Sequence, residues 1–170
     1  MGERNPAMPD ETLIMLLDEV RGRTLRYLRG VSDEQARWCP PGLQNTILWH
    51  AGHSYFLGEW LGMKALGHDP QVSKGWYKMF SWDSRPDAIP ADRWPRLDLV
   101  VGRLADQRRR LRQAIAEAAD DLLTSPVDGS DGRTVRFSVV HGLHDEACHS
   151  GEILLLRKMQ GLGRPPRVSS

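Results

Sequence analysis

Residues 137–161 read FSVVHGLHDEACHSGEILLLRKMQG, and this stretch decides the fold. It reads as one helix from Phe137 or Ser138 to Gln160, stopped by Gly161 and Gly163. Three histidines, His141, His144 and His149, ride on it beside Asp145, Glu146 and Glu152. A helix carrying so many metal-ligating groups needs partners that face it.

Working back along the chain supplies three. Asp10 is a good N-cap, and Leu13, Leu17, Val20, Thr24 and Leu28 recur at steps of three and four until Gly30. Ser32 to Gln35 has the capping-box pattern of a short turn, and Pro40-Pro41-Gly42 breaks the chain. A second helix is expected from Asn45 or Thr46, fading by Gly67, with His50, His53, Trp49 and Phe56 on a broad face. A third is expected from Asp92 to Leu123 on a stripe of Leu97, Val100, Leu104, Leu111, Ile115, Ala118 and Leu122. That stripe is interrupted at Gln107 or Arg108. Residues 67–92 read as a long irregular connection rich in aromatics, and residues 124–136 as a loop. Four amphipathic helices without any strand-period pattern predict an all-α four-helix bundle.

Composition agrees. The chain has 170 residues, 40% apolar and 26% charged, with a net charge of +1. Those values exclude a disordered chain and a membrane protein, and predict one soluble domain over residues 1–170. Residues 1–9 and 164–170 are expected to be frayed tails. Near-neutral charge gives no basis for nucleic-acid capture, and Arg108 to Arg112 read as a solvated helix face. Two cysteines, Cys39 and Cys148, make no disulfide framework, so a cytoplasmic location is expected. No apolar run is long enough for a secretory signal or a membrane span.

Helix geometry limits which histidines act together. An i,i+4 pair diverges by about 40° and an i,i+5 pair by about 140°. Asp145 and His149 therefore share a face, whereas His144 and His149 do not. His141 lies about 12 Å along the axis from His149, too far to share one ion. Either His50 or His53, three residues apart, is able to supply a ligand from the facing helix.

The segments VSDEQARWCPPGLQNTILWHAGHSYFLGEW (31–60) and HDEACHSGEILLLRKMQG (144–161) resemble the DinB-like (DinB/YfiT) superfamily. The latter segment is similar to the family's H-x-x-x-H-x-G-[QE]-I signature. The resemblance implies a metal held by His53, Asp145 and His149. It departs at Asp145, where most members carry His and the mycothiol-dependent maleylpyruvate isomerases carry a carboxylate. His50, His144, Glu146 and Glu152 are then candidates for orienting or catalytic roles, and Trp49 and Arg108 for the substrate pocket. A divalent ion (zinc, nickel, iron or manganese) is implied as cofactor, with a low-molecular-weight thiol as co-substrate. The function so implied is addition of that thiol to a small electrophile. Metal-assisted hydrolysis and a non-catalytic metal-binding bundle are the alternatives. A small-molecule substrate and a possible homodimer complete the expectation.

Overall fold

The computed structural model describes residues 9–165. Of the expected tails at 1–9 and 164–170, residues 1–8 and 166–170 lie outside the described residues. The chain forms α1 (Glu11–Leu28), α2 (Asp33–Arg37), α3 (Ile47–Leu57), α4 (Trp76–Phe80), α5 (Leu97–Glu117), α6 (Asp120–Thr124) and α7 (Val135–Met159). A π-helical segment, Gly58–Met63, continues α3. Among the described residues there are no strands, only one isolated bridge between Pro126 and Thr134. No helix among them is long and apolar enough to cross a membrane.

α1, α3, α5 and α7 make the bundle. α1 packs on α5 and α7, and α3 packs on the same two, so α1/α3 and α5/α7 lie across the diagonals. Local chemistry starts α1, α3 and α7 where side-chain acceptors are available. Asp10, Thr46 and Thr134 accept from the amides of Leu13, Trp49 and Phe137. Ser32 and Gln35 close the expected capping box.

Three boundaries differ from the sequence reading. α7 begins at Val135, because Thr134 is the cap. α5 begins at Leu97, because Pro95 disfavours helix in the residue before it. Asp33 then accepts from the Leu97 amide at 2.7 Å, so α2 caps α5 from outside. The expected helix over 92–123 also divides at Ala118 and Ala119, whose ψ angles of 124° and 153° are extended. This turn rotates α6, so Leu123 is buried and Leu122 is exposed. The 67–92 connection is less irregular than expected. It holds α4 and a 3-10 turn at Pro86–Ala88. Trp76 and Phe80 join the core, while Tyr77 and Trp82 stay exposed.

The polar interruption at Gln107 becomes the centre of the bundle. Arg21 is fully buried and donates to both carboxylate oxygens of Glu146, at 2.7 and 2.8 Å. It also donates to the Leu104 carbonyl and to Gln107 Oε1. Gln107 Nε2 donates to Glu59 Oε1 at 2.7 Å and to the Tyr55 carbonyl. Arg110 reaches the same Glu59 oxygen, and the Gln71 amide donates to its other oxygen at 2.7 Å. Two cations and two carboxylates balance, and every carboxylate oxygen of the network has a donor. Space for Gln107 exists only because residue 58 is glycine. A Cβ there would stand 2.3 Å from Gln107 Oε1.

Candidate metal centre

Three histidine rings meet between α3 and α7. His53 and His149 have centroids 4.7 Å apart and meet edge to face. His50 and His149 are 5.2 Å apart, and their Nδ1 atoms approach to 2.9 Å. His50 and His53 are both buried, and His149 is half-buried. Trp49 stacks on His53 at 4.6 Å with the planes 11° apart. Its indole N–H donates to Ser84 at 3.0 Å, which fixes the stacked ring.

The second nitrogen of each ligand candidate is already committed. His53 Nδ1–H donates to the Phe80 carbonyl at 2.6 Å, leaving Nε2 as the free lone pair. The His50–His149 contact needs one proton between two Nδ1 atoms. With His149 as donor, its Nε2 is likewise free. Burial is the main cause that keeps these rings neutral. It pushes His50 down to about 3, helped by repulsion from His149 and His53. His149 falls to about 4 from burial and then from His53, although Asp145 and Glu146 oppose the fall. His53 is lowered by burial too, against the Phe80 carbonyl and Asp145. Neutral imidazoles are what a divalent ion requires.

Asp145 stands between this trio and a second, outer pair. Its carboxylate lies 3.6 Å from His141 Nε2 and 3.5 Å from His144 Nδ1. Ligand atoms of His141, His144 and Asp145 all fall within 4.8 Å of one another, close enough to hold a metal ion. Asp145 also raises the proton affinity of His53 and His149 through space. Among the described residues, however, only His141 and His144 bring ligand atoms within 4.8 Å of its carboxylate and of each other, so the expected trio of His53, Asp145 and His149 is not drawn together in this structure.

The remaining candidates lie elsewhere. Glu146 is committed to Arg21 in the core. Glu152 is exposed, and of these candidates only His144, itself exposed, stands in the outer group beside Asp145. Arg108 pairs with Asp18 of α1 at 2.8 Å, and no contact ties it to the histidines. Two features escaped the sequence reading. One is the Phe80 carbonyl, which leaves no side-chain signature. The other is the Arg21–Gln107–Glu59 network, signalled only by Gln107 breaking an apolar stripe.

Two tests follow from this geometry. Gly52 precedes His53, and a Cβ there would meet the Phe80 ring at 2.1 to 2.4 Å. Phe80 is fully buried, so it must move and drag its carbonyl off His53. Gly52→Ala is expected to cost about 1–3 kcal/mol and lower Tm by several degrees, read by thermal unfolding. An unchanged Tm would show that Phe80 has room to yield. The second test concerns acid. In metal-free protein, unfolding returns the rings from about 3 and about 4 to the ordinary 6.5. Between pH 6.5 and about 4 the unfolded chain therefore binds more protons. Stability is complete above pH 6.5 and declines as pH falls through that window. Urea midpoints at neutral pH and at pH about 5 check the sign, and a flat profile would mean the rings are hydrated.

A sequence profile described as the DinB superfamily matches residues 16–153. Among solved structures, the chain is similar to a conserved protein of a locus from Enterococcus faecalis, at 18% identity and a TM-score of 0.69. That likeness covers 90% of this chain and 98% of the other, and it concerns the fold. No curated protein matches the chain.

Proposed function

The chain belongs to the DinB superfamily, and from that membership we propose that it is a divalent-metal enzyme adding a low-molecular-weight thiol to a small electrophile. His53, Asp145 and His149 would hold the ion. The observation that supports this reading is the meeting of three neutral imidazoles, His50, His53 and His149, two of them with Nδ1 held by other groups, with Asp145 one turn before His149 on α7. The donor set suits zinc, nickel, iron or manganese. When bound, a divalent ion at such a site supplies Lewis acidity that shifts a thiol or water beside it towards ionisation near neutral pH.

The protein's own groups do the rest. The Phe80 carbonyl holds His53 in one tautomer and one orientation. His50 does the same for His149, so its role is to position rather than to ligate. Trp49 covers one face of His53 and keeps water from it. Asp145, about one-third exposed, is the ligand nearest solvent, and its side is where substrate would arrive.

A direct assay decides between the readings. Protein purified without a His tag is loaded with each metal in turn. It is then mixed with glutathione, bacillithiol or mycothiol and an α,β-unsaturated carbonyl acceptor. Metal-dependent consumption of thiol and acceptor in equal amounts supports the proposal. Hydrolysis of ester substrates without thiol loss would replace it with the hydrolase reading. Metal bound with no turnover of either kind would leave a non-catalytic bundle.

A further inference from the structure

A groove of about 550 Å³ opens between the π-helical segment, the 125–133 loop and the start of α7. Trp60, Trp82 and Phe137 form aromatic walls. Lys64 and Arg133 stand at its edge, both exposed, and neither is ion-paired among the described residues. Lys64 Nζ sits 4.5 Å from the Trp60 ring centroid, and the Arg133 guanidinium 5.7 Å from that of Phe137. Each cation is thus held against an aromatic wall rather than spent on a carboxylate. Asp128 is the one carboxylate of the lining, so positive charge exceeds negative by one.

One residue joins this groove to the histidine cluster. His141 lines the groove, stacks on Phe137 at 5.8 Å, and lies 3.6 Å from Asp145. A second route runs through Trp82, which meets Phe56 at 5.1 Å, while Phe56 stacks on His53. The groove therefore ends where the metal centre begins. No such juxtaposition exists at Arg108, which is neutralised by Asp18.

We propose that this groove binds a small aryl or alkyl carboxylate, with its apolar body between Trp82 and Phe137 and its anion at Lys64 and Arg133. The body length that the groove accepts sets which acids reach the histidines. This assignment deepens the proposed function by requiring that the electrophile carry a carboxylate on its apolar body, apart from the carbon that accepts the thiol, and rests on it only for what happens after binding. An aromatic slot gives the apolar part most of its affinity, and the cations select charge.

The test uses 2-naphthoate and its neutral isostere 2-naphthamide, titrated calorimetrically and by tryptophan fluorescence. Wild-type protein is expected to bind the acid more tightly than the amide. The double variant Lys64→Gln/Arg133→Gln, with both changes on exposed side chains, should weaken naphthoate about three- to tenfold and leave naphthamide unchanged. Trp82→Ala should weaken both. Equal affinity for acid and amide, or a double variant that binds naphthoate as well as wild type, overturns the assignment. His53→Ala separates it from the catalytic reading. Naphthoate binding that survives in this variant keeps the groove assignment even if no thiol transfer is found. Metal and thiol turnover without selective naphthoate binding removes the groove assignment alone.

Discussion

Replacing His149 with alanine is expected to abolish metal retention, measured by elemental analysis of protein purified without a His tag. His53→Ala should do the same. Each removes a neutral imidazole whose free nitrogen is presented by a fixed ring, so the affinity loss should exceed the cost of losing an orienting partner. That cost is typically about 10–100-fold, which is the range expected for His50→Ala. Asp145→Ala is the discriminating variant, because its carboxylate contacts the outer histidines His141 and His144 while the proposed ligand set needs it at His53 and His149. Metal lost in Asp145→Ala and kept in His144→Ala supports the ligand set His53, Asp145 and His149. The opposite pattern would move the third ligand to His144 and contradict the helix-phase argument. Metal kept in Asp145→Ala and lost in His50→Ala would give an all-histidine centre.

The second large effect lies away from the metal. Arg21→Met should destabilise the protein by about 3–5 kcal/mol, because Glu146 is left buried and uncompensated. Gln107 and the Leu104 carbonyl lose a donor at the same time. For a chain of this size that lowers Tm by about 10 °C, read by calorimetry. The double variant Arg21→Met/Glu146→Met removes both charges and should recover most of the loss. If the single variant alone is nearly neutral, water reaches the pair and it is not a dry ion pair.

Local signals are legible in the amino-acid order, and long-range ones are not. Helical periodicity marks α1 and α7 well, since their caps and glycine stops are local. The break at Ala118–Ala119 has no local signature, because alanine is the strongest helix former and nothing nearby disfavours continuation. Spacing pairs Asp145 with His149, since four residues on a helix is a contact distance. Spacing is silent on whether His50 or His53 faces that pair, and in the folded chain both meet His149. Charged residues on amphipathic helices ordinarily read as solvated. Arg21 and Glu59 carry no local signal of burial, and Glu146 reads as a neighbour of the metal, whereas long-range pairing buries all three in the core.

The group that orients His53 belongs to α4, a five-residue helix outside the bundle with no side-chain cap. Short, weakly capped segments open more often than the long helices they lie on. Each such opening unties the His53 ring, so under the proposed ligand set the lifetime of a loaded centre would be tied to how seldom Trp76–Phe80 lifts. The rate of metal exchange and the deuterium exchange of the Ser81 amide, bonded to Tyr77 at 3.0 Å, then report the same event. Durability of the cofactor would be tuned by the packing of Phe80, a residue that never touches it.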